Sequence, residues 1–255
     1  MESAIKINDI NVSIKEDGTG PDMVLIHGIF ASKEIMNPLY NHYKDTHHVI
    51  SYDVRGHGKS DKPKNFDLDD YADDLKELII ELNLKNPIVV GLSMGSYITL
   101  KTAEKYPELL SKIVLLGSRG KGEISLVNTQ DNPNIDLKEM GRIISKRTYA
   151  PSTTSEQIAE FYKGNRSEVQ LTADERKEIY ASLAHYDMVT DADMVKIPVL
   201  IISGEHDGIN PPEESIRLHE VLPTSTLEIV EGAGHIAYLE KEKEVFELID
   251  SFIAK

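Results

Sequence analysis

The chain has 255 residues, no cysteine, 40% hydrophobic residues and a formal net charge of −15. That length and apolar fraction suit one domain with a full core, with room for an insertion. The charge disfavours nucleic acid as a partner, because its phosphates would be repelled, and the missing cysteines exclude disulfides, thiolate chemistry and Cys-ligated metals.

The opening residues Met1-Glu2-Ser3-Ala4-Ile5-Lys6 contain no basic segment followed by an apolar core, so no signal peptide is read there. No apolar stretch approaches the roughly 18 residues needed to span a bilayer. A cytoplasmic protein with no membrane partner is expected. Ala4–Ile7 and Asn11–Lys15 alternate apolar and polar residues around Asn8-Asp9, which predicts an antiparallel hairpin. After the turn cluster Asp17-Gly18-Thr19-Gly20-Pro21 come short apolar runs of the fully buried kind: Met23–His27, Val49–Tyr52, Ile88–Val90, Ile113–Leu116 and Val199–Ile202. Thr226–Val230 is the last strand.

Helical patterns lie between these runs. The clearest is Asp67 to Leu84, with Leu68, Ala72, Leu75, Ile79 and Leu82 along one stripe and an Asp near its start. The acidic stretch Asp67 to Glu77 is read as its solvated face. Strands alternating with helices predict an α/β fold: a mostly parallel eight-stranded sheet with helices on both faces and an antiparallel start at one edge.

From Arg119 to Asp193 the alternation stops. Thr154-Ser155-Glu156-Gln157 and Thr172-Ala173-Asp174-Glu175 both fit capping boxes that open helices. Apolar residues recur at Leu137, Met140, Ile143 and Ile144, then at Ile158, Phe161 and Tyr162, then at Ile179 and Leu183. The reading is a core domain of residues 1–118 and 194–255, with a helical insertion, 119–193, after the sixth strand. At the carboxyl edge of the sheet it would sit where α/β folds bind ligands. His185 and Tyr186, near the end of its last helix, are read as packed or exposed positions.

The run Ile88-Val89-Val90 leads into Gly91-Leu92-Ser93-Met94-Gly95, and a helix-compatible stretch, Tyr97 to Tyr106, follows until Pro107. In this strand–turn–helix context Gly-x-Ser-x-Gly marks a nucleophile elbow. Gly91 and Gly95 are glycines because a Cβ there would strike the neighbouring strand or helix. A Ser hydroxyl needs an adjacent base, which must itself be oriented. His235, in Gly232-Ala233-Gly234-His235 after the last strand, is the candidate base. Asp207, in Gly204-Glu205-His206-Asp207 after Val199–Ile202, is the candidate acid. Chain order is then Ser93, Asp207, His235, each at the carboxyl end of a different strand. His206 is the rival base, but its neighbour Asp207 could hardly reach across to orient it. The rival acid position, after Ile113–Leu116, reads Gly117-Ser118-Arg119 with no carboxylate before Glu123.

An oxyanion formed by attack needs two N–H donors. The amide of Met94 is one. The other is assigned to Ile29, with Phe30 as the alternative, in the loop His27-Gly28-Ile29-Phe30, and the side chains of Ile29, Phe30 and Met94 are expected to wall the substrate site. His27 is read as structural. Gly56-His57-Gly58-Lys59-Ser60 ends like a P-loop but has Asp53 where the first Gly is required. Gly232-x-Gly234-x-x-Ala237 lies too near the C-terminus to open a dinucleotide-binding unit. No metal-ligand spacing is present, since His-Glu-x-x-His is missing and Glu205-His206-Asp207 is not helix-spaced.

Leu25-Ile26-His27-Gly28, Asp53 to Ser60, Gly91 to Gly95, Gly204-Glu205-His206-Asp207 and Gly234-His235 stand in an order and spacing that resemble the α/β-hydrolase superfamily. The likeness is to its small, cap-bearing bacterial esterases and lactonases. The resemblance covers nearly the whole chain. It implies the α/β-hydrolase fold, residues 119–193 as a substrate-selecting cap, Asp53 to Ser60 as a structural loop, and hydrolysis of an ester-like bond with no metal or organic cofactor. Ser93 at the elbow, where relatives with dehalogenase or epoxide hydrolase chemistry carry Asp, argues against those reactions. The expected partner is a small ester-like molecule, and the expected assembly a monomer or homodimer. C–C bond hydrolysis, acyl transfer, cofactor-free peroxidase or lyase chemistry, and a non-catalytic ligand sensor remain alternatives on the same residues.

Overall fold

The computed structural model describes residues 2–121, 137–166, 168–184, 186–190 and 192–255. Strands β1 (Glu2–Ile7) and β2 (Ile10–Asp17) pair antiparallel through a turn that puts Asn8 and Asp9 at φ 42° and 64°. Asn and Asp tolerate this left-handed pair, as a two-residue hairpin requires. Then come β3 (Asp22–Ile26), α1 (Asn37–Tyr43), β4 (His48–Tyr52), α2 (Leu68–Glu81), β5 (Ile88–Leu92), α3 (Met94–Lys105) and β6 (Lys112–Leu116). Three helices follow in succession: α4 (Leu137–Thr148), α5 (Ser155–Phe161) and α6 (Ala173–Ser182). Thr154 and Thr172 cap the last two through reciprocal bonds with Gln157 and Glu175, the capping boxes expected there. The chain closes with β7 (Val199–Gly204), α7 (Pro212–Val221), β8 (Ser225–Val230), α8 (Ala237–Glu240) and α9 (Glu242–Ile253).

The eight strands form one sheet in the order β1-β2-β4-β3-β5-β6-β7-β8. Only the β1–β2 and β2–β4 pairs are antiparallel. Alternate residues of the central strands face opposite sides. Val24, Ile26, Val89, Ile113 and Leu115 join one core with Leu75 and Leu78 of α2, Ile98 of α3 and Leu218 of α7. Met23, Leu25, Val90, Val114 and Leu116 join the other with Leu39 of α1, Tyr238 of α8, and Val245 and Ile249 of α9. Double coverage explains why these strands read as continuous apolar runs. Each such buried side chain stabilises the fold by roughly 1.5–3 kcal/mol. No helix among the described residues is long and apolar enough to cross a membrane.

The acidic face of α2 departs from expectation. Asp67 caps the helix, accepting from the amides of Asp69 and Asp70. Asp74, however, is 2% exposed and accepts from Nε and Nη2 of Arg55, both at 2.6 Å, and from Nδ2 of Asn8 at 3.1 Å. One member of the acidic run is therefore an anchor for the Asp53–Ser60 loop. Asp74→Ala is expected to cost about 3–5 kcal/mol, because it leaves the Arg55 guanidinium buried with only the partly exposed Asp70 at 3.4 Å. Urea unfolding checks this as a lower midpoint at an unchanged slope.

The parallel register brings the carboxyl ends of β3, β5, β6, β7 and β8 to one edge, with Ile26 opposite Gly91, Leu92 opposite Leu116, Leu116 opposite Ile202, and Gly204 opposite Val230. The loops leaving that edge carry Ser93, Asp207 and His235.

Candidate active site

Ser93 occupies the turn between β5 and α3 at φ 52° and ψ −114°. A non-glycine residue there stores about 1–3 kcal/mol of strain, which persists only if the surroundings over-determine it. They do. The Ser93 amide donates to the Leu116 carbonyl at 2.8 Å, and the Ser93 carbonyl accepts from the amide and the hydroxyl of Ser96 at 2.8 and 2.5 Å. A Cβ on Gly91 would stand 2.2 Å from the Gly95 carbonyl oxygen, and one on Gly95 would stand 2.3 Å from that of Ile26. Helix and strand thus approach at backbone contact, as the glycine spacing predicted. The Ser93 side chain sits at the positive end of α3.

Asp207 and His235 are brought together by the seven- and six-residue loops that follow β7 and β8. Both are buried, and His235 Nδ1 lies 2.7 Å from Asp207 Oδ2. A carboxylate only accepts, so Nδ1 carries the proton and Nε2 is left basic. The other oxygen, Oδ1, accepts from the amides of Ile209 and Asn210, both at 2.8 Å. Asn210 is buried and donates through Nδ2 to the Gly117 carbonyl at 2.6 Å and the Tyr97 hydroxyl at 2.7 Å. Gly117, at φ 58°, lies against the imidazole: a Cβ there would be 3.0 Å from Cε1 and Nδ1 of His235. Neither Asn210 nor Gly117 was singled out from the sequence, although a Gly ending β6 is a signal of close approach. His206 is exposed and pairs with Glu205 at 3.5 Å, away from Ser93.

The end of α4 reaches both loops. The Gly208 amide donates to the Arg147 carbonyl at 2.8 Å, and Arg147 Nε returns a bond to the Gly208 carbonyl at 2.6 Å. The His235 amide donates to the Thr148 carbonyl at 2.6 Å. Glu240 accepts from the amides of Gly234 and Ala150, at 2.7 and 2.9 Å.

Gly28 lets the loop after β3 lie on the elbow, since a Cβ there would be 3.4 Å from that of Ser93. The amides of Ile29 and Met94 donate to no backbone carbonyl among the described residues. Ser93, His235, Ile29 and Phe30 line a common cavity of about 250 Å³. The Ser93 hydroxyl has no hydrogen-bond partner among the described residues. The cavity walls are Leu92, Ile35, Ile144, Ile209 and Ile236. The Met94 side chain, expected among them, is fully buried instead, in the core cluster that holds Tyr97 and Ile98 of the same helix. A second cavity of about 510 Å³ adjoins, sharing Phe30, Ile144 and Tyr162. Tyr186 is buried, stacked on Tyr97 and bonded to the Arg119 carbonyl. His185 and Glu123 lie outside the described residues.

His27 is buried, with Nδ1 donating to the Gly28 carbonyl at 2.8 Å and Nε2 accepting from the Val54 amide at 3.2 Å. His57 packs against it, ring centroids 5.1 Å apart. Burial lowers both pKa values, outweighing the pull of Asp53 on His27 and assisted by His27 at His57. Both rings stay neutral in the fold but take up protons in the unfolded chain below about pH 6.5. The unfolded state then binds more protons, so the stability is whole above about 6.5 and falls as the pH drops toward the depressed folded values. The expected loss approaches about 1.4 kcal/mol per pH unit for each ring. Urea titrations between pH 7 and 5.5 check it, the pH slope being smaller in His57→Gln.

A family model described as the alpha/beta hydrolase fold matches residues 21–150 and 128–242. The chain belongs to the α/β-hydrolase family. The hydrolase is 27% identical over 280 residues to a 2-(acetamidomethylene)succinate hydrolase of Mesorhizobium japonicum, covering 98% of this chain and 94% of that one. Its fold superposes on an esterase from Exiguobacterium antarcticum with a TM-score of 0.86, at 23% identity and over 100% of both chains. With an enol-lactonase from Burkholderia xenovorans the TM-score is 0.87, at 19% identity, over 99% of this chain and 100% of that one. The eight-stranded sheet and its order are therefore those of an α/β hydrolase.

Proposed function

We propose that this α/β hydrolase cleaves a carboxylic ester, lactone or thioester of a small substrate through an acyl-enzyme on Ser93. The observation that carries the reading is the buried 2.7 Å contact of Asp207 with His235, on a cavity that Ser93 shares. In the first half-reaction Ser93 Oγ attacks the substrate carbonyl while His235 Nε2 takes its proton. Asp207 holds Nδ1–H and stabilises the imidazolium. The amides of Ile29 and Met94 receive the oxyanion, each worth roughly two to three orders of magnitude in rate. The tetrahedral adduct collapses, His235 returns the proton to the departing oxygen, and the acyl group stays on Ser93. Water, deprotonated by His235, then adds to the acyl carbonyl, and His235 returns that proton to Ser93 Oγ as its bond to the acyl carbon breaks and the acid leaves.

The apolar cavity walls support a largely apolar group next to the scissile carbonyl. We assign residues 119–193 the part of a cap, because α4, α5 and α6 follow one another there and α4 and α5 supply Ile144 and Ile158 to the cavities. The test is covalent labelling by a fluorophosphonate together with turnover of 4-nitrophenyl butyrate. A folded protein that does neither would overturn the proposal.

A further inference from the structure

The larger cavity beside the Ser93 pocket has a different chemistry. Its rim carries Arg166 and Arg176, with Asn165 and Gln170, and no carboxylate among its described lining residues. Arg176 lies over the ring of Phe30, its Cζ 4.8 Å from the centroid, and Phe30 also lines the Ser93 pocket. One aromatic ring therefore separates this guanidinium from the pocket of the nucleophile. Neither arginine forms an ion pair among the described residues. Other cations do pair with carboxylates, as Lys33 does with Asp53, Arg55 with Asp74, Lys105 with Asp73 and Arg217 with Glu214, while Lys62 and Lys112 bond to backbone carbonyls; what sets the two arginines apart is that they line one cavity together. In a chain of net charge −15, two guanidiniums with no acid among the described residues lining their cavity are a local reversal of sign.

We infer that Arg166 and Arg176 form an anion subsite, and that the substrate is an ester bearing a carboxylate remote from the scissile bond. This rests on the hydrolase reading above. The apolar pocket takes the carbonyl and its neighbouring methylenes, and the carboxylate reaches the arginines past Phe30. A guanidinium suits that group because its fork matches both carboxylate oxygens. The acidic remainder of the surface repels anions in general, so binding one requires a local positive site.

The experiment compares kcat/KM for paired esters that differ only in charge. One pair is the 4-nitrophenyl half-ester of adipic acid and its neutral adipamate counterpart, with the charge on the acyl side. The other is 4-acetoxybutyrate and 4-acetoxybutyramide, with the charge on the alcohol side. Each solvated pair is worth a factor of about 1.5 to 5, so the wild type is expected to favour the anion roughly 3- to 20-fold in one pair. That ratio should fall toward one in R166A/R176A, stay above it in R166K/R176K, and shrink with added salt. Loss of the Arg176–Phe30 stacking affects both members of a pair alike and cancels in the ratio. A wild-type ratio of one or less in both pairs overturns the inference, as does a ratio that the double alanine variant leaves intact. Calorimetric binding of adipic acid monoamide and of adipamide reads the same subsite without turnover. Tighter binding of the monoanion that R166A/R176A abolishes sustains the subsite even if no ester is cleaved, and equal binding of the two removes it.

Discussion

Ser93→Ala is expected to lower kcat for 4-nitrophenyl butyrate by about four to six orders of magnitude and to abolish fluorophosphonate labelling, while thermal unfolding stays near that of the wild type. The substitution deletes one oxygen that makes no hydrogen bond among the described residues. It keeps the Cβ, and with it the strain at φ 52°. The bonds holding the elbow run through the backbone of residue 93, to Leu116 and from Ser96, and survive unchanged. Stability and activity thus separate at this position. On the proposed mechanism the residual rate comes from the Ile29 and Met94 amides and the cavity, which can still favour attack by water. Turnover within tenfold of the wild type would move the nucleophile elsewhere.

Asp207→Asn is expected to lower kcat by about four orders of magnitude, with little change in KM. Hydrogen bonding dictates which way the new amide faces. Two backbone amides, those of Ile209 and Asn210, donate to Oδ1, so the amide oxygen of Asn must take that place. Its NH₂ is then directed at His235 Nδ1, in the position Oδ2 held at 2.7 Å. A donor there forces Nδ1 to accept and puts the imidazole proton on Nε2, the atom proposed to receive the Ser93 proton. The base is present but in the wrong tautomer. Because size and backbone bonds are conserved, the fold is kept, and steady-state kinetics with a circular dichroism control check the result. An unchanged kcat would mean that Asp207 does not orient the base.

Ser93, Asp207 and His235 were legible because each sits in a local signature: glycines two residues either side of the Ser, and short loops directly after apolar strand runs. The hairpin turn at Asn8-Asp9 and the capping boxes at Thr154 and Thr172 were legible for the same reason, being made within a few residues. What stayed hidden depends on pairs far apart in the chain. Asp74 read as solvent-facing because nothing near it in sequence announces Arg55, nineteen positions earlier. Ile209 and Ile236 line the cavity by following Asp207 and His235, whereas Met94, adjacent to Ser93, is buried in the core. The arginines at the larger cavity belong to helical and loop segments whose orientation over the sheet no periodicity reports.

The bonds from Arg147, Thr148 and Ala150 to the acid and base loops set where this protein tolerates recombination. Those residues fall within the segment 119–193 proposed above as a cap, yet they hydrogen-bond to Gly208, to His235 and to the Glu240 carboxylate that also secures Gly234. On the proposed cap role, a chimera that replaces all of residues 119–193 would import a foreign specificity and discard part of the hydrogen bonding around the His235 imidazole. A donor segment joined after Ala150 inherits those bonds intact, so new substrate ranges are more accessible through exchange of α5 and α6 than through exchange of α4.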